Sequence, residues 1–437
     1  MTSQRSDRGS KGRSGPRPDK RSLAPPVTEA LLAHLWRERA SRHRTFRTRQ
    51  GRRVHVLYPG REASEAGPDF RDALLYQEGL GLVRGDVELH LRQEDWRNHG
   101  HHRDPLYGGV ILHGVLQGQE ADTRLPSGTA APVVSLEPLL HPQERPNPYV
   151  SWKESPLWAL LRQQGVHPPQ DRCQAGNLLD QAGMARFRHR SKGFVILLGE
   201  EPPEEVLYQG LMECMGYSEN RQAFLELAHR VPYHALEGLA LRASPESLQA
   251  LISQRLLEAA GFLPVGSGAI KKRSPMPFSR WRLFRVRPGN HPRRRIDGMA
   301  HLLGRYWPSG FIPSLAAPVL QGSWGELEKG LTVSSQGQGP ALIGRARARD
   351  AAVNVVLPFF HAWATLQPLP QLSSMALGLF KGSPPLQPNR LTREMERCLF
   401  PHLWLPLATN AARQQGLTHL HHLVAGEGQA DYDSIDS

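Results

Sequence analysis

Carboxylate and imidazole side chains are concentrated in one short stretch of the chain, from Gly67 to His113. These are the groups that bind divalent metals and that exchange protons near neutral pH. A metal held by them would lower the pKa of a bound water and polarise a scissile bond. The chemistry that this composition first suggests is therefore metal-assisted hydrolysis. The candidate residues are Asp69, Asp72, Asp86, Glu88, His90, Asp95, His99, His101, His102, Asp104 and His113.

The spacing within the stretch places some of these groups together. Residues 82–91 alternate and are rich in β-forming types, which predicts a strand. Side chains at i, i+2 and i+4 share one face of a strand, so Asp86, Glu88 and His90 project together while the apolar residues between them face the core. Asp69 begins an earlier strand directly after a Gly-Pro turn. Metal binding explains this row of ionisable groups, and so does simple exposure to solvent.

The surrounding pattern predicts a small α/β unit in the order helix, three strands, helix, strand. Thr28 is suited to cap the first helix, and apolar residues follow it at helical spacing. A further strand near residues 131–136 extends the sheet. The predicted elements are a helix from Thr28 to about Arg39, strands Arg53–Tyr58, Asp69–Tyr76 and Leu82–Leu91, a helix over Gln93–Asp104 and a strand over Val110–Leu116.

Beyond Pro156 the pattern becomes helical, so the fold class is predicted to be α+β. Three regions follow from these shifts in composition: a disordered basic tail over residues 1–26, an α/β domain over 27–150 and mainly helical domains over 151–437. The clearest helical patterns are Glu204–Met215, Arg221–Arg230, Pro245–Ala260, Ile296–Tyr306 and Leu391–Leu403.

Pro68-Asp69 and Glu88-Leu89-His90, set in this order of elements, resemble the PD-(D/E)XK nuclease pattern. The resemblance implies that Asp69 and Glu88 hold a divalent cation, with Mg²⁺ or Mn²⁺ favoured over Zn²⁺, and that nucleic acid is cleaved. His90 stands where the family usually has lysine. A neutral imidazole accepts a proton near pH 7 and could take over the activation of water. His90 could equally bind the metal and shift the preference toward Mn²⁺ or Zn²⁺.

The histidines that follow are a second candidate group. If residues 93–104 are helical, His99 and His102 share a face one turn apart, and His99 is predicted as a third metal ligand. His101 is a further candidate. A histidine-rich surface loop with no specific role is the alternative. His113 lies within an apolar strand, where a lone histidine is either functional or a hydrogen-bonded core residue.

The helical half contains a strongly basic segment from Lys271 to Arg295, and the chain as a whole carries a net charge of +13. Ten lysines or arginines and no acid occur in this segment, with Phe278, Trp281 and Phe284 between them. Arginines grip phosphates, and aromatic rings stack on unpaired bases. The alternative places the aromatics in the core and pairs the arginines with distant acids or water. The predicted nucleic-acid contacts are Arg280, Arg282, Arg285, Arg287, Arg293, Arg294 and Arg295.

A wider resemblance extends over some 350 residues. The blocks GPDFRDALLY, GDVELH, LYQGLMECMGYSENRQAF and FRVRPGNHPRRRIDGMA occur in order and resemble an uncharacterised bacterial family of unknown function. The resemblance implies a bacterial intracellular protein and gives no activity. Three scattered cysteines without a CxxC pair and the lack of a long apolar run favour the cytoplasm rather than a membrane. No nucleotide-binding glycine loop is present, so no nucleotide cofactor is expected.

Three hypotheses for function remain open from the sequence. The first is a metal-dependent nuclease. The second is a nucleic-acid-binding protein with a degenerate, inactive core, since the lysine is missing. The third is a zinc or manganese hydrolase that acts on another substrate through its histidines.

Overall fold

The computed structural model describes residues 27–41, 45–63, 66–118, 121–141, 153, 155–264, 274–283, 286, 288–335, 339–401, 403 and 406–425. A sheet region comes first in the chain and a helical region follows it, which confirms the α+β class. The predicted tail over residues 1–26 lies outside the described residues, and so does part of the basic segment.

The strands form one mixed sheet and one small hairpin. Their order in the sheet is β1-β2-β4-β5-β6-β9, with β3 added beside β4 and with β7 and β8 paired separately. Neighbouring strands are antiparallel up to β5, whereas β5, β6 and β9 run parallel. The strands are β1 (Phe46–Arg47), β2 (Arg53–Tyr58), β3 (Arg61–Glu62), β4 (Phe70–Gln77), β5 (Gly81–Arg92), β6 (Val110–Gln117), β7 (Thr123–Arg124), β8 (Ala130–Ala131) and β9 (Val133–Ser135).

The helices are mostly found after residue 155. A π-helical turn over Ala352–Val356 joins two of them. None of the helices in the described part of the chain combines the length and the apolar character that crossing a bilayer requires. They are α1 (Glu29–Arg39), α2 (Asp95–Asn98), α3 (Glu137–Leu140), α4 (Pro156–Gln163), α5 (Arg172–Glu200), α6 (Pro203–Met215), α7 (Tyr217–Arg230), α8 (Tyr233–Ala240), α9 (Pro245–Ala259), α10 (Pro292–Tyr306), α11 (Phe311–Leu320), α12 (Trp324–Leu331), α13 (Arg345–Ala351), α14 (Leu357–Leu366), α15 (Pro370–Lys381), α16 (Arg390–Leu399) and α17 (Ala411–Ala425).

One face of the sheet packs on α1. The Thr28 hydroxyl accepts a hydrogen bond from the backbone N–H of Leu31 and so caps this helix, as predicted. The apolar stripe of α1 is buried with Val87 and Leu89 of β5 in one core. The Trp36 indole N–H donates to the Pro59 carbonyl at 2.9 Å. The alternating apolar residues of β5 therefore point to this face, and Glu88 and His90 point to the opposite face.

Two different parts of the chain cover the opposite face of the sheet. Over β2 and β4, Tyr58 and Leu74 share a core with Trp158 of α4 and with side chains of α16 and α17. The sheet region and the helical region are thus joined by common burial across the predicted boundary at residue 150. Over β5 and β6, the face is covered by the crossover between these two strands.

The crossover spans residues 93–109, because parallel strands cannot be joined by a tight turn. A single helix over Gln93–Asp104 was predicted there, and this prediction was wrong. Gly100 has φ of +80° and ends the four-residue α2. Two 3₁₀ turns follow, over His101–Arg103 and Pro105–Tyr107. Trp96 and Tyr107 are buried beneath them in a small cluster of their own.

Candidate metal centre

The Asp69 and Glu88 carboxylates each accept a backbone hydrogen bond across the junction between the residue before β4 and the middle of β5. The Asp69 N–H donates to Glu88 Oε2 at 2.9 Å, and the Leu89 N–H donates to Asp69 Oδ2 at 3.0 Å. The β4–β5 register shifts between Phe70 and Ala73, just beyond this junction. Burial, followed by the nearby Glu88 carboxylate, raises the pKa of Asp69 to about 7. Two acidic groups from neighbouring strands therefore meet in a largely dry environment, as predicted.

His90 lies at the bottom of the site, with 1% of its surface exposed. Its Nδ1 is 2.9 Å from His113 Nε2, and His113 Nδ1 is 2.7 Å from the Thr123 hydroxyl. Burial, followed by the charges of the neighbouring histidines, lowers the pKa of His90 to about 3. Burial likewise lowers that of His113 to about 4. Both rings are therefore neutral at pH 7.

The hydrogen-bond chain fixes which nitrogen of His90 is available to a metal. A lone pair on His90 Nε2 requires a proton on Nδ1, which then donates to His113 Nε2. His113 in turn carries its proton on Nδ1 and donates to Thr123. A second group that receives the far N–H of a metal-binding imidazole is a regular feature of such centres. His113 is thus a buried hydrogen-bonded residue that supports His90.

His99 and His101 reach His90 from the crossover. The ring centroids of these three residues lie 5.1 to 5.5 Å apart, and one nitrogen from each lies within 4.8 Å of the others. The His101 ring stacks on Tyr107 at 3.9 Å. The left-handed Gly100 between them turns the chain sharply, which brings His99 and His101, rather than His99 and His102, onto one centre.

Glu88 adds a carboxylate oxygen to the three imidazoles. Its Oε1 is 3.5 Å from His90 Nε2 and 3.3 Å from His101 Nε2. A tetrahedral centre with bonds of about 2.0–2.1 Å spaces its ligand atoms roughly 3.4 Å apart. The Glu88 distances match this spacing and exceed the roughly 2.8 Å of a charge-assisted hydrogen bond. The histidines His90, His99 and His101 form the group whose ligand atoms lie within reach of one another, and the Glu88 carboxylate lies beside two of them. Of the predicted ligands, His99 is in this group, whereas Asp69 and Glu88 are not.

Several predicted residues lie outside this group. Asp86 sits at a register shift of β5 and accepts the Asp72 N–H at 3.3 Å. Asp72 itself has φ of +57° and pairs with Arg61 and Arg84. His102 is not part of the histidine group that could hold a metal. Salt links engage Asp72 and a backbone hydrogen bond engages Asp86, while His102 Nδ1 is buried with no hydrogen-bond partner among the described residues.

Two residues that contact the candidate centre's histidines were not predicted from the sequence. Thr123 receives the His113 ring, and Tyr107 stacks on His101. Thr123 lies in a two-residue strand with no pattern of its own, so nothing in the sequence pointed to it. Tyr107 follows Pro105 and Leu106 and resembled an ordinary loop residue.

The basic segment does not present one continuous surface. Arg295 is 5% exposed, and Trp281 is buried with its indole N–H donating to the Ala260 carbonyl. The predicted nucleic-acid contact of Arg295 is therefore wrong, because this side chain lies in the helical core, and Trp281 follows the alternative that places the aromatics in the core. Arg280 is exposed and lies 3.3 Å from Glu226. Arg282 and Arg293 are exposed, and Arg294 is half-buried beside the Pro340 carbonyl. Arg285, Arg287 and Phe284 lie outside the described residues.

Comparison with known proteins adds a family but no activity. The family model described as "Protein of unknown function (DUF2851)" matches residues 29–316, about two thirds of the chain. No curated protein and no solved structure matches the chain. The matched range contains the whole candidate centre and the whole basic segment.

Proposed function

The chain belongs to the DUF2851 family of unknown function, and from its site we propose that it is a metal-dependent hydrolase that cleaves phosphodiester bonds of nucleic acid. The observation that carries the proposal is the spacing of Glu88 Oε1 from His90 Nε2 and His101 Nε2, with His99 within reach. Buried ionisable groups around one point are costly unless they bind an ion or one another.

The donor set bears on the identity of the metal. Mg²⁺ prefers oxygen ligands and near-octahedral geometry, whereas imidazole suits Zn²⁺ and other transition metals. Three imidazoles and one carboxylate therefore favour Zn²⁺ or Mn²⁺ over Mg²⁺, which revises the preference inferred from the resemblance. When bound, such a metal would polarise the phosphate and acidify a water molecule.

Residues around the metal would position its ligands, exchange protons and line the site. His113 and Thr123 hold the His90 ring in the tautomer that leaves Nε2 unprotonated. Asp69 stands beside Glu88, with a pKa near 7 before any cation is present. It is therefore suited to exchange a proton with the attacking water or the leaving oxygen. Trp96 and Tyr107 form an apolar wall against His101.

The choice of nucleic acid as substrate rests on two features. The first is the PD-(D/E)XK resemblance of Pro68-Asp69 and Glu88-Leu89-His90, which is supported by three main strands, β2, β4 and β5, followed by a crossover and the strand β6. Asp69 and Glu88 occupy the matching positions on its second and third strands. The excess of 13 positive charges suits a polyanion.

A second candidate is a zinc or manganese hydrolase of another substrate. The histidine-rich ligand set favours it, because a lysine has been replaced and two further imidazoles added relative to the nuclease pattern. Metal binding is common to both candidates, and they differ only in the substrate.

The test is cleavage by the metal-stripped protein after separate loading with Mg²⁺, Mn²⁺ or Zn²⁺. Labelled single-stranded DNA, double-stranded DNA and RNA serve as substrates. We expect cleavage with Mn²⁺ or Zn²⁺ that falls about 100-fold or more in Glu88→Gln and Asp69→Asn. Asp86→Asn is the matched control, since Asp86 lies on the same strand outside the centre, and it should retain activity within about 3-fold.

Two outcomes contradict the proposal. Equal cleavage by the wild type and Glu88→Gln would show that a contaminating enzyme cuts the substrate. Tight metal binding without cleavage of any nucleic acid would exclude the nuclease and leave the second candidate.

A further inference from the structure

Arginine side chains from α10 and α13 converge on Tyr217 at the start of α7, far along the chain from the candidate metal centre. Arg295 is 5% exposed and Arg347 is 7% exposed. The guanidinium carbon of Arg347 lies 3.1 Å from the centre of the Tyr217 ring, and that of Arg295 lies 5.3 Å from it. Arg294 adjoins them on α10. We refer to Tyr217, Arg294, Arg295 and Arg347 as the arginine cluster.

Arg295 is held in place by neutral acceptors. Its Nη1 donates to the Leu342 carbonyl at 2.6 Å. Its Nη2 donates to the Tyr217 hydroxyl at 2.7 Å and to Asn290 Oδ1 at 2.8 Å. These bonds fix the direction of the guanidinium without neutralising its charge. Burial lowers the pKa of Arg295, and the charges of Arg347 and Arg294 act in the same direction.

Arg347 has an unused edge. Its Nη1 donates to the Cys214 carbonyl at 3.0 Å. Its Nε and Nη2 are buried and have no hydrogen-bond partner among the residues that the structure describes. These two atoms form the side of a guanidinium that grips a carboxylate or phosphate through two parallel bonds. Buried donors left without a partner cost free energy, more so when they are charged. The edge therefore has the chemistry of an oxyanion site.

The local charge points to a dianion. Among the side chains that the structure describes, these three guanidiniums meet one carboxylate, that of Asp350, which lies 3.6 Å from Arg347 Nη1. Burial raises the pKa of Asp350, which weakens even this compensation. The Nε atoms of Arg294 and Arg295 are also buried and lack a partner within the described part of the chain. Water would satisfy such donors but would leave the charge excess of the cluster in place: about one positive charge on the buried Arg295 and Arg347, and a second on the half-buried Arg294. A buried unpaired charge is strongly unfavourable.

We propose that the arginine cluster binds a phosphoryl group, with two of its oxygens on Nε and Nη2 of Arg347. A phosphate dianion matches the two uncompensated charges, whereas a carboxylate would neutralise only one of them. The site is independent of the metal centre and of the hydrolase activity proposed there. Arg347 is its anchor, and Arg295 and Tyr217 position that anchor.

The test is the thermal unfolding of the chelator-treated protein in the presence of inorganic phosphate, with chloride and acetate at matched ionic strength. Removing the metal prevents phosphate from acting through the metal centre. A ligand that binds only the folded state raises the Tm, here by about 2 °C or more at saturating phosphate. A second arm with a nucleoside 5′-monophosphate shows whether a free phosphate or an esterified one binds better.

The matched variants are Arg347→Lys and Arg345→Lys. Lysine keeps the charge but cannot form the two parallel bonds, so Arg347→Lys should lose the phosphate-dependent shift. Arg345 is exposed on the same helix, and its substitution should preserve the shift. If Arg347→Lys does not fold, Arg294→Lys and phosphate titration of the wild type by ³¹P NMR carry the test. Equal shifts with phosphate and acetate, an unchanged response in Arg347→Lys, or no binding of either phosphate by the wild type would overturn the proposal.

Discussion

Two stretches of this chain are dense in residues that suit chemistry, and the fold treats them in opposite ways. In residues 67–113, strand β5 and the crossover bring three imidazoles together, and the Glu88 carboxylate lies beside two of them. In residues 271–295, the described arginines are dispersed: Arg295 is buried, Arg280 faces Glu226 and Arg293 faces solvent.

The difference comes from what determines the direction of a side chain. A strand with one buried face fixes every second residue, so Val87 and Leu89 in the core oblige Glu88 and His90 to point the other way. No such constraint acts on a proline-rich connection followed by a helix start. Similar charge densities therefore predict a site in the first stretch and only a general affinity in the second.

The largest effect is expected on metal affinity when His101 is substituted, and the adjacent His102 provides the control. Zinc sites of four ligands bind with roughly 10–16 kcal/mol, so the loss of one ligand removes about 3 kcal/mol, or two to three orders of magnitude in affinity. We expect His101→Ala to lose this much affinity and His102→Ala to change it less than about 3-fold. Competition with a chromogenic chelator measures both. Equal losses in the two variants would show that the cluster is a loose histidine-rich loop.

A smaller effect is expected where the basic segment enters the core. Arg295→Gln removes donors from Tyr217, Asn290 and Leu342 in a buried environment. Unmet acceptors of this kind cost about 1–3 kcal/mol, so the free energy of unfolding in urea should fall by about 2 kcal/mol. Arg293→Gln, two positions earlier and exposed, should change it by less than about 0.5 kcal/mol. If the two variants are equally stable, the Arg295 side chain is not held in the core, and the basic segment forms one exposed surface.

The sequence predicted the strands well and the connections poorly. Each main strand was placed to within one or two residues, because alternation and flanking turn residues report burial directly. The pairing of Asp69 with Glu88 followed from that placement. The single helix predicted for the crossover was wrong. The path of the crossover depends on the positive φ of Gly100, and the presence of a glycine in the sequence does not show which φ it adopts.

The same limit applies to the supporting residues. The role of His101 depends on where a loop returns, and that of Thr123 depends on a contact with His113 made ten residues away in sequence. The inward direction of the Arg295 side chain depends on the Leu342 carbonyl, which lies 47 residues further along the chain. Tertiary contacts of this kind leave no local pattern.

Acid sensitivity is expected to differ between the histidines of the candidate centre and a buried histidine of the helical region. Burial lowers the pKa of His419 on α17 to about 4, while an unfolded histidine titrates near 6.5. The folded state thus prefers the neutral ring, and this stabilisation is complete above about pH 6.5 and is lost as the pH falls toward 4. Between pH 7.5 and 5 the loss should be about 1–2 kcal/mol, and His419→Gln should remove it with or without metal.

The histidines of the centre should behave differently from His419. Their protonation competes with the metal, so the metal-free protein should lose more stability at pH 5 than at pH 7.5, and loading Zn²⁺ or Mn²⁺ should reduce that part of the loss. Urea unfolding at the two pH values, with metal and with chelator, gives the comparison. A pH dependence that is identical in both states would mean that no metal engages the centre.

The smallest effect tests whether the exposed part of the basic segment contacts nucleic acid at all. Each phosphate contact contributes roughly one unit to the slope of log affinity against log salt concentration. Arg293→Gln should reduce this slope by about one and weaken binding of a DNA duplex by a few-fold at low salt. Arg242→Gln is the control, because it removes the same charge from an exposed position outside the segment. Fluorescence anisotropy over a range of salt concentrations measures both variants. If they shift the slope equally, net charge alone attracts nucleic acid, and the exposed part of the basic segment makes no specific contact with it.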